Sequence, residues 1–548
     1  MLFRIVISLA VLGPCSCDVW KEVRISQGVL RGRKESNGPY TFYNIPYATA
    51  PTGPDRYKAP LPAPIWSRPR YSIDEQVICF QGKNPFVTEG TMKEDCLIAN
   101  VFVPDTEQKK LPVMVYVHGG AFELGLGNMM TFNHLIRQKN VIVVTFNYRL
   151  SVQGFLCLGT EDVPGNAGMK DQVALLKWVQ GNIASFGGDP DNVTILGSSS
   201  DSISVSLLML SKSTEGLFTK VVPESGVSVS SIAIQIDPIE NAKNYARMLN
   251  FHNVDDFYAL EAFYKNNPLE SLVIGTFLGI KNISLIFYPC VERSTDKEAF
   301  LTDAPINIIR NGNYKKVPVL VGITNMEGFV QMVNFERWKI EMNDKFSDFL
   351  PADLQFGSEK EKAEIAQEVK EFYFKGKPVG DETVLDYIEY FGDVYFSYPT
   401  LRTVRLQVEN GHDQIYLYEY SFVDEQTPVV PHTNVRLAAH CAQSMAIFDE
   451  ETFVPDESNL TPEYKIMKAT MRDIWYNFAV HGKPLMGGLS VMAWPATDAS
   501  GSPCMSLGRE IVLRHSFLKG SASLWDALYQ KYYRVPRAPP QPPTEKLY

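Results

Sequence analysis

The stretch Thr194–Ser202, TILGSSSDS, runs from an apolar segment into three serines, and Ser199 stands two residues after a glycine. A serine hydroxyl attacks an ester carbonyl only when a histidine takes its proton. An acid must orient that histidine, and backbone N–H groups must hold the oxyanion that forms. The pattern G-x-S-x-G presents such a serine on a sharp strand-to-helix turn. Gly197 and Ser199 fit it, while Asp201 replaces the second glycine. A serine-rich polar turn is the plain alternative, and the strand-like residues before it and the apolar run Ile203–Leu210 after it favour the turn that carries a nucleophile.

Chains with this turn supply the partners in the order serine, acid, histidine. Glu327 follows the apolar run VPVLVGI (317–323), at the edge where functional loops gather in open sheets, although an exposed loop glutamate would look the same. The later histidines are His412, His432, His440, His481 and His515, and spacing does not choose among them. His440 sits among small residues in RLAAHCAQSMAIF, a setting that also suits a core histidine. Upstream, His118-Gly119-Gly120 follows the run LPVMVYV directly, and two glycines let backbone N–H groups turn toward a bound oxygen.

The elements that must hold these groups are legible from periodicity. Leu111–Val117, Val141–Phe146, Val193–Leu196 and Val317–Ile323 read as buried strands, and 19–33 as short alternating strands. Residues 168–186 read as a helix ended by Gly187-Gly188, with Leu175, Leu176, Val179 and Ile183 on one side. Strands alternating with helices predict an α/β fold with a large, mostly parallel central sheet flanked by helices. The charged, helical stretch 340–410 reads as a layer over that sheet within one domain.

With 548 residues, 45% hydrophobic and 21% charged, the composition is that of a globular chain. A net charge of −10 argues against nucleic-acid binding. Arg4, the apolar run 5–13 and the small residues Cys15-Ser16-Cys17 read as a secretory signal over 1–17, followed by a domain at 18–532 and a mobile proline-rich tail at 533–548. No later segment is long and apolar enough for a membrane span. Secretion permits disulfides and glycans. Cys79 and Cys96 enclose a short loop-like stretch and are the obvious pair; for Cys157, Cys290, Cys441 and Cys504, free thiols and bridges are equally open. Of three sequons, Asn192 falls in a core strand, which leaves Asn282 and Asn459 as the expected glycan sites.

Long ordered segments resemble the carboxylesterase and cholinesterase group of α/β-hydrolases. They are GVLRG (28–32), FYNIPYATAPTGPDRYKAPLP (42–62), EDCLIANVFVP (94–104), the whole of 165–197, WYNFAVHGKP (475–484) and WDALY (525–529). The resemblance implies Ser199 as nucleophile, Glu327 as acid, His440 as base, and an oxyanion hole from the amides of Gly119, Gly120 and Ser200. It also implies a Cys79–Cys96 disulfide and an Arg56–Glu94 ion pair. The expected activity is a secreted serine carboxylesterase that takes small, lipophilic, largely neutral esters, without metal or cofactor. The alternative is an esterase-fold protein that binds or sequesters a hydrophobic ligand or a protein partner with little turnover.

Several residues depart from the group's pattern. The usual GESAG is GSSSD here, against GQSAG in juvenile-hormone esterases. The acid usually found three residues after the histidine is Gln443, so a buried acidic network expected around Ser198 and Gln443 is lost. No tryptophan lies between Cys79 and Cys96, where cholinesterases hold a choline group, so a choline ester specialist is not expected. A side chain at 201 is expected to strain the turn by about 1–3 kcal/mol. It also places an anion near the oxyanion amides, and a displacement of about an ångström would slow catalysis roughly a hundredfold.

Overall fold

Runs of β-branched and aromatic residues become strands that are buried almost along their full length, Leu111–Val117, Ile142–Phe146, Lys220–Glu224, Val319–Thr324 and Ile415–Tyr420, while Gly188–Ser198 is buried from Val193 onward. A computed structural model describes residues 19–542 apart from 36–37, 83–89, 274–286, 295–297, 450–456, 486–492 and 519. Within them the strands join one 13-stranded sheet. Its parallel centre runs 142–146, 111–117, 188–198, 220–224, 319–324, 415–420 and 504–507 in spatial order. Antiparallel strands widen it on both flanks, with Ile98–Val103, Tyr40–Pro46, Gly28–Lys34 and Trp20–Ile25 on one side and Ile511–Arg514 on the other. The sheet is the large, mostly parallel one expected, because strands apolar on both faces must be covered on both faces.

Register places the site. Gly197 lies opposite Val117 on one side and Pro223 on the other, and Glu224 lies opposite Gly322. The turns after these strands therefore leave the sheet at one carboxyl edge, side by side. The helix Ala167–Asn182, continued by a 3₁₀ turn to Phe186, ends at Gly187 with φ +93°. It covers one face of the sheet, and the helix Pro462–His481 covers the other.

The stretch expected to lie over the sheet is more substantial than a covering. Helices Phe335–Asp344, Glu359–Phe374, Val384–Gly392 and Ser521–Tyr532 enclose an apolar cluster of their own around Trp338, Tyr390 and Trp525. Asp393–Ser397, a single π-helical turn, links Val384–Gly392 to the helix Tyr398–Glu409, which reaches back to the main core through Leu401 and Val404.

The Cys79–Cys96 disulfide is present. Cys157 and Cys290 form a second bridge, which sequence had left open because neither lies in a loop that marks it, whereas Cys441 and Cys504 are buried thiols. Arg56 Nη2 meets Glu94 Oε1 at 3.0 Å, as the resemblance implied. The proline-rich segment is extended but not free over its first residues. Tyr533 bridges to Leu354, Arg534 pairs with Asp237, and Pro536 and Pro539 are buried, because this stretch covers apolar surface beside Val535 and Ala538. The expected signal segment 1–17 and the sequon at Asn282 lie outside the described residues. No helix among the described residues is long and apolar enough to cross a membrane.

Candidate active site

Ser199 sits between the strand Gly188–Ser198 and the helix Ser200–Leu210 at φ +61°, ψ −128°, a conformation that non-glycine residues adopt only when their surroundings impose it. Two glycines impose it. A Cβ on Gly197 would lie 2.3 Å from the Asp201 carbonyl oxygen, and one on Gly226 would lie 2.6 Å from that of Ser199. The Ser199 amide donates to the Glu224 carbonyl at 3.0 Å, which ties the turn to the neighbouring strand. The close approach of strand and helix is therefore made at Gly197, and the side chain at 201 points elsewhere. The steric strain expected at Asp201 has no counterpart in these contacts.

Of the five downstream histidines, His440 alone reaches the serine. Its Nε2 accepts from Ser199 Oγ at 2.8 Å, and its Nδ1 donates to Glu327 Oε2 at 2.5 Å. His412 is buried elsewhere with Nε2 on the Val317 carbonyl, His432 lies near Glu336 and Asp381, His481 ends a helix, and His515 is exposed. Burial opposes a charge on His440, and the Glu327 carboxylate on Nδ1 favours it. Phe396, delivered by the π-helical turn, lies 4.6 Å from the His440 ring, centroid to centroid.

Glu327 is fully buried, and its second oxygen accepts from the Thr324 amide at 2.7 Å and from Ser225 Oγ at 2.6 Å. Gln443 Nε2 in turn donates to Ser225 Oγ at 2.6 Å. An amide at 443 thus commits the serine proton to Glu327, so the neutral residue that departs from the family pattern still belongs to the line leading to Ser199. Ser198 Oγ is 3.1 Å from the Tyr116 hydroxyl.

A buried acid does remain behind the serine, at a position that no local pattern singles out. Glu224 accepts hydrogen bonds from Tyr418, Ser444 and Trp475, and burial pushes it up to about 7. The Tyr418 ring reaches it across Gly322, where a Cβ would lie 2.0 Å from the ring.

Gly119 and Gly120 are half-exposed beside the elbow. A Cβ on Gly119 would lie 3.7 Å from the Ser199 Cβ. Gly120 has φ +139° and the residues after it turn tightly, with the amides of Glu123 and Leu124 both donating to its carbonyl. The amides of Gly119, Gly120 and Ser200 donate to no acceptor among the described residues. The same holds for Ala121, at φ +57°.

Asp201 itself is fully buried. Tyr148 meets its Oδ1, Ser200 Oγ donates to its Oδ2 at 2.9 Å, and no cation touches it among the described residues. Burial pushes its pKa up to about 8, which favours the neutral acid at neutral pH over the anion expected beside the oxyanion amides.

The family model for the carboxylesterase family matches residues 20–525. The chain is 29% identical over 532 residues to the juvenile hormone esterase of Heliothis virescens, covering 90% of this chain and 92% of that one. It is 30% identical over 510 residues to the para-nitrobenzyl esterase of Bacillus subtilis strain 168, covering 90% and 96%. Among solved structures, the juvenile hormone esterase of Manduca sexta with OTFP covalently attached superposes with a TM-score of 0.80 at 28% identity, covering 93% of this chain and 100% of that one.

Proposed function

The chain belongs to the carboxylesterase family of ester hydrolases, and from that premise we propose that it is a secreted serine esterase working through an acyl-enzyme. The observation that carries this reading is the unbroken line from Ser199 Oγ through His440 to Glu327, at 2.8 and 2.5 Å. Ser199 Oγ attacks the ester carbonyl while His440 Nε2 takes its proton. Glu327 holds Nδ1–H and supports the imidazolium. The unpaired amides of Gly119, Gly120, Ala121 and Ser200 are the donors available to the oxyanion. The imidazolium then protonates the leaving alcohol, and water, activated by the same nitrogen, releases the acid. A related structure that carries a covalently attached small molecule supports this route.

The substrate is a small, lipophilic, largely neutral ester. Secretion is supported by the signal-like 1–17 segment, by two disulfides and by a relative named venom carboxylesterase-6 from Apis mellifera. Asn459 is exposed and suits a glycan, whereas Asn192 is half-buried with its amide oxygen on Lys220.

Ser199→Ala tests the reading. Turnover of a short-chain p-nitrophenyl ester is expected to fall by about 10⁴-fold or more, while Ser198→Ala and Ser200→Ala stay active. Wild-type protein that binds a hydrophobic ester without turnover would favour the sequestering alternative. Activity that survives Ser199→Ala would place the nucleophile at another residue.

A further inference from the structure

Asp201 occupies a glycine's place in the G-x-S-x-G pattern, and the nucleophile scheme assigns it no role. Its surroundings do. The Tyr148 hydroxyl touches Asp201 Oδ1 and also lies 3.4 Å from the His118 carbonyl oxygen. The Tyr148 ring stacks on the His118 ring, with centroids 4.7 Å apart and planes 22° apart. His118 Nδ1 is 3.2 Å from the Gly119 oxygen. One buried cluster therefore joins the first turn of the nucleophile helix to the turn that carries the Gly119 and Gly120 amides.

We propose that Asp201 is a positioning residue for the ester reaction, whose carboxyl group acts through Tyr148 to set the His118–Gly119 peptide and so aims the Gly119 N–H. The proposal rests on Ser199 being the nucleophile. A neutral carboxyl can donate to Tyr148 Oη, which leaves the Tyr148 proton free for the His118 carbonyl. A carboxylate can only accept, and draws that proton to itself. The peptide is planar, with its C=O and N–H pointing in opposite directions, so a hold on the His118 oxygen fixes the direction of the Gly119 N–H. The ionised form loses this hold and adds a negative charge close to the developing oxyanion. Both effects slow acylation.

The neighbouring groups leave the switch to Asp201. From the Leu111–Val117 strand and its end come Tyr116 and His118; burial holds His118 near 4 and so uncharged. Ser200 and Ser204 contribute hydroxyls from its own helix, and Gln172 reaches Ser204 from the facing helix. Arg149, next to Tyr148, is engaged by Asp171 and by backbone carbonyls. Glu224, on the adjacent strand, shares Tyr116 as an electrostatic neighbour. With Asp201 shifted up to about 8, the bridging form prevails at neutral pH and is lost in mild alkali.

The test is kcat/KM of Asp201→Asn relative to wild type from pH 6.5 to 9.5. The ratio cancels the titration of His440 and is expected to rise about tenfold across the range. Tyr148→Phe is expected to lower kcat about tenfold at pH 7 with KM within about twofold, since positioning and not binding is lost. Asp201→Gly, which restores the pattern's glycine, is expected to be slower than wild type at pH 7. A flat ratio, or an Asp201→Gly enzyme at least as fast as wild type, overturns the proposal while Ser199 remains the labelled nucleophile. Should Asp201→Asn not fold, the Tyr148→Phe split decides, and an unchanged kcat there overturns it. Loss of Ser199 labelling in the wild type would instead remove the reading on which it rests.

Discussion

Glu327 and Glu224 are both fully buried at the carboxyl ends of adjacent parallel strands, and their partners divide them. Glu327 faces an imidazole that can carry a proton to and from Ser199, and its other oxygen is braced by Ser225 and a backbone amide. Glu224 faces a phenol, a hydroxyl and an indole, none of which takes up a proton near neutral pH, and each belongs to a different scaffold element. Burial and strand position are shared; what differs is whether the hydrogen bonds lead to a group that can accept charge. One acid is lined up with Ser199 through His440, and the other ties the sheet to the elements behind it.

Substitutions should separate the two. Glu327→Gln is expected to lower kcat by about 10⁴-fold, since the amide no longer fixes the His440 tautomer, while the thermal midpoint moves little. Glu224→Leu should do the reverse. Three buried donors lose their acceptor, so urea unfolding is expected to show a loss of about 3–5 kcal/mol, with kcat per folded molecule largely kept.

A pH series sharpens the contrast. Glu224 binds its proton more tightly folded, near 7, than unfolded, near 4.5, so its contribution to stability declines as pH rises between those values. Wild-type unfolding free energy is expected to fall by about 1 kcal/mol or more from pH 5 to 8 relative to Glu224→Gln, as read by urea melts. The smallest effect is expected at Gln443→Ala, which removes only the donor behind Ser225; kcat should drop about three- to tenfold.

The sheet was legible because its strands are long apolar runs with turn residues at their ends, and the elbow because Gly197 and Ser199 sit between such a strand and an apolar helix. His440 could not be chosen from spacing, since contact with Ser199 across 241 positions is made by the fold; only the resemblance selected it. The protonation of Asp201 is not legible in sequence, because it depends on burial that no local pattern reveals. Glu224, Ala121 and Phe396 do not stand out in sequence for related reasons: one is an ordinary strand residue, one offers only a backbone amide, and one is delivered by a π-helical turn. The Cys157–Cys290 bridge joins residues 133 positions apart in apolar settings that suit free thiols equally well.

The most direct test of the central claim is labelling with a fluorophosphonate probe, followed by intact mass and peptide mapping. A single adduct on Ser199, lost in His440→Ala, is the predicted result. A folded protein that takes no adduct, or takes it on Ser198 or Ser200, would contradict the account.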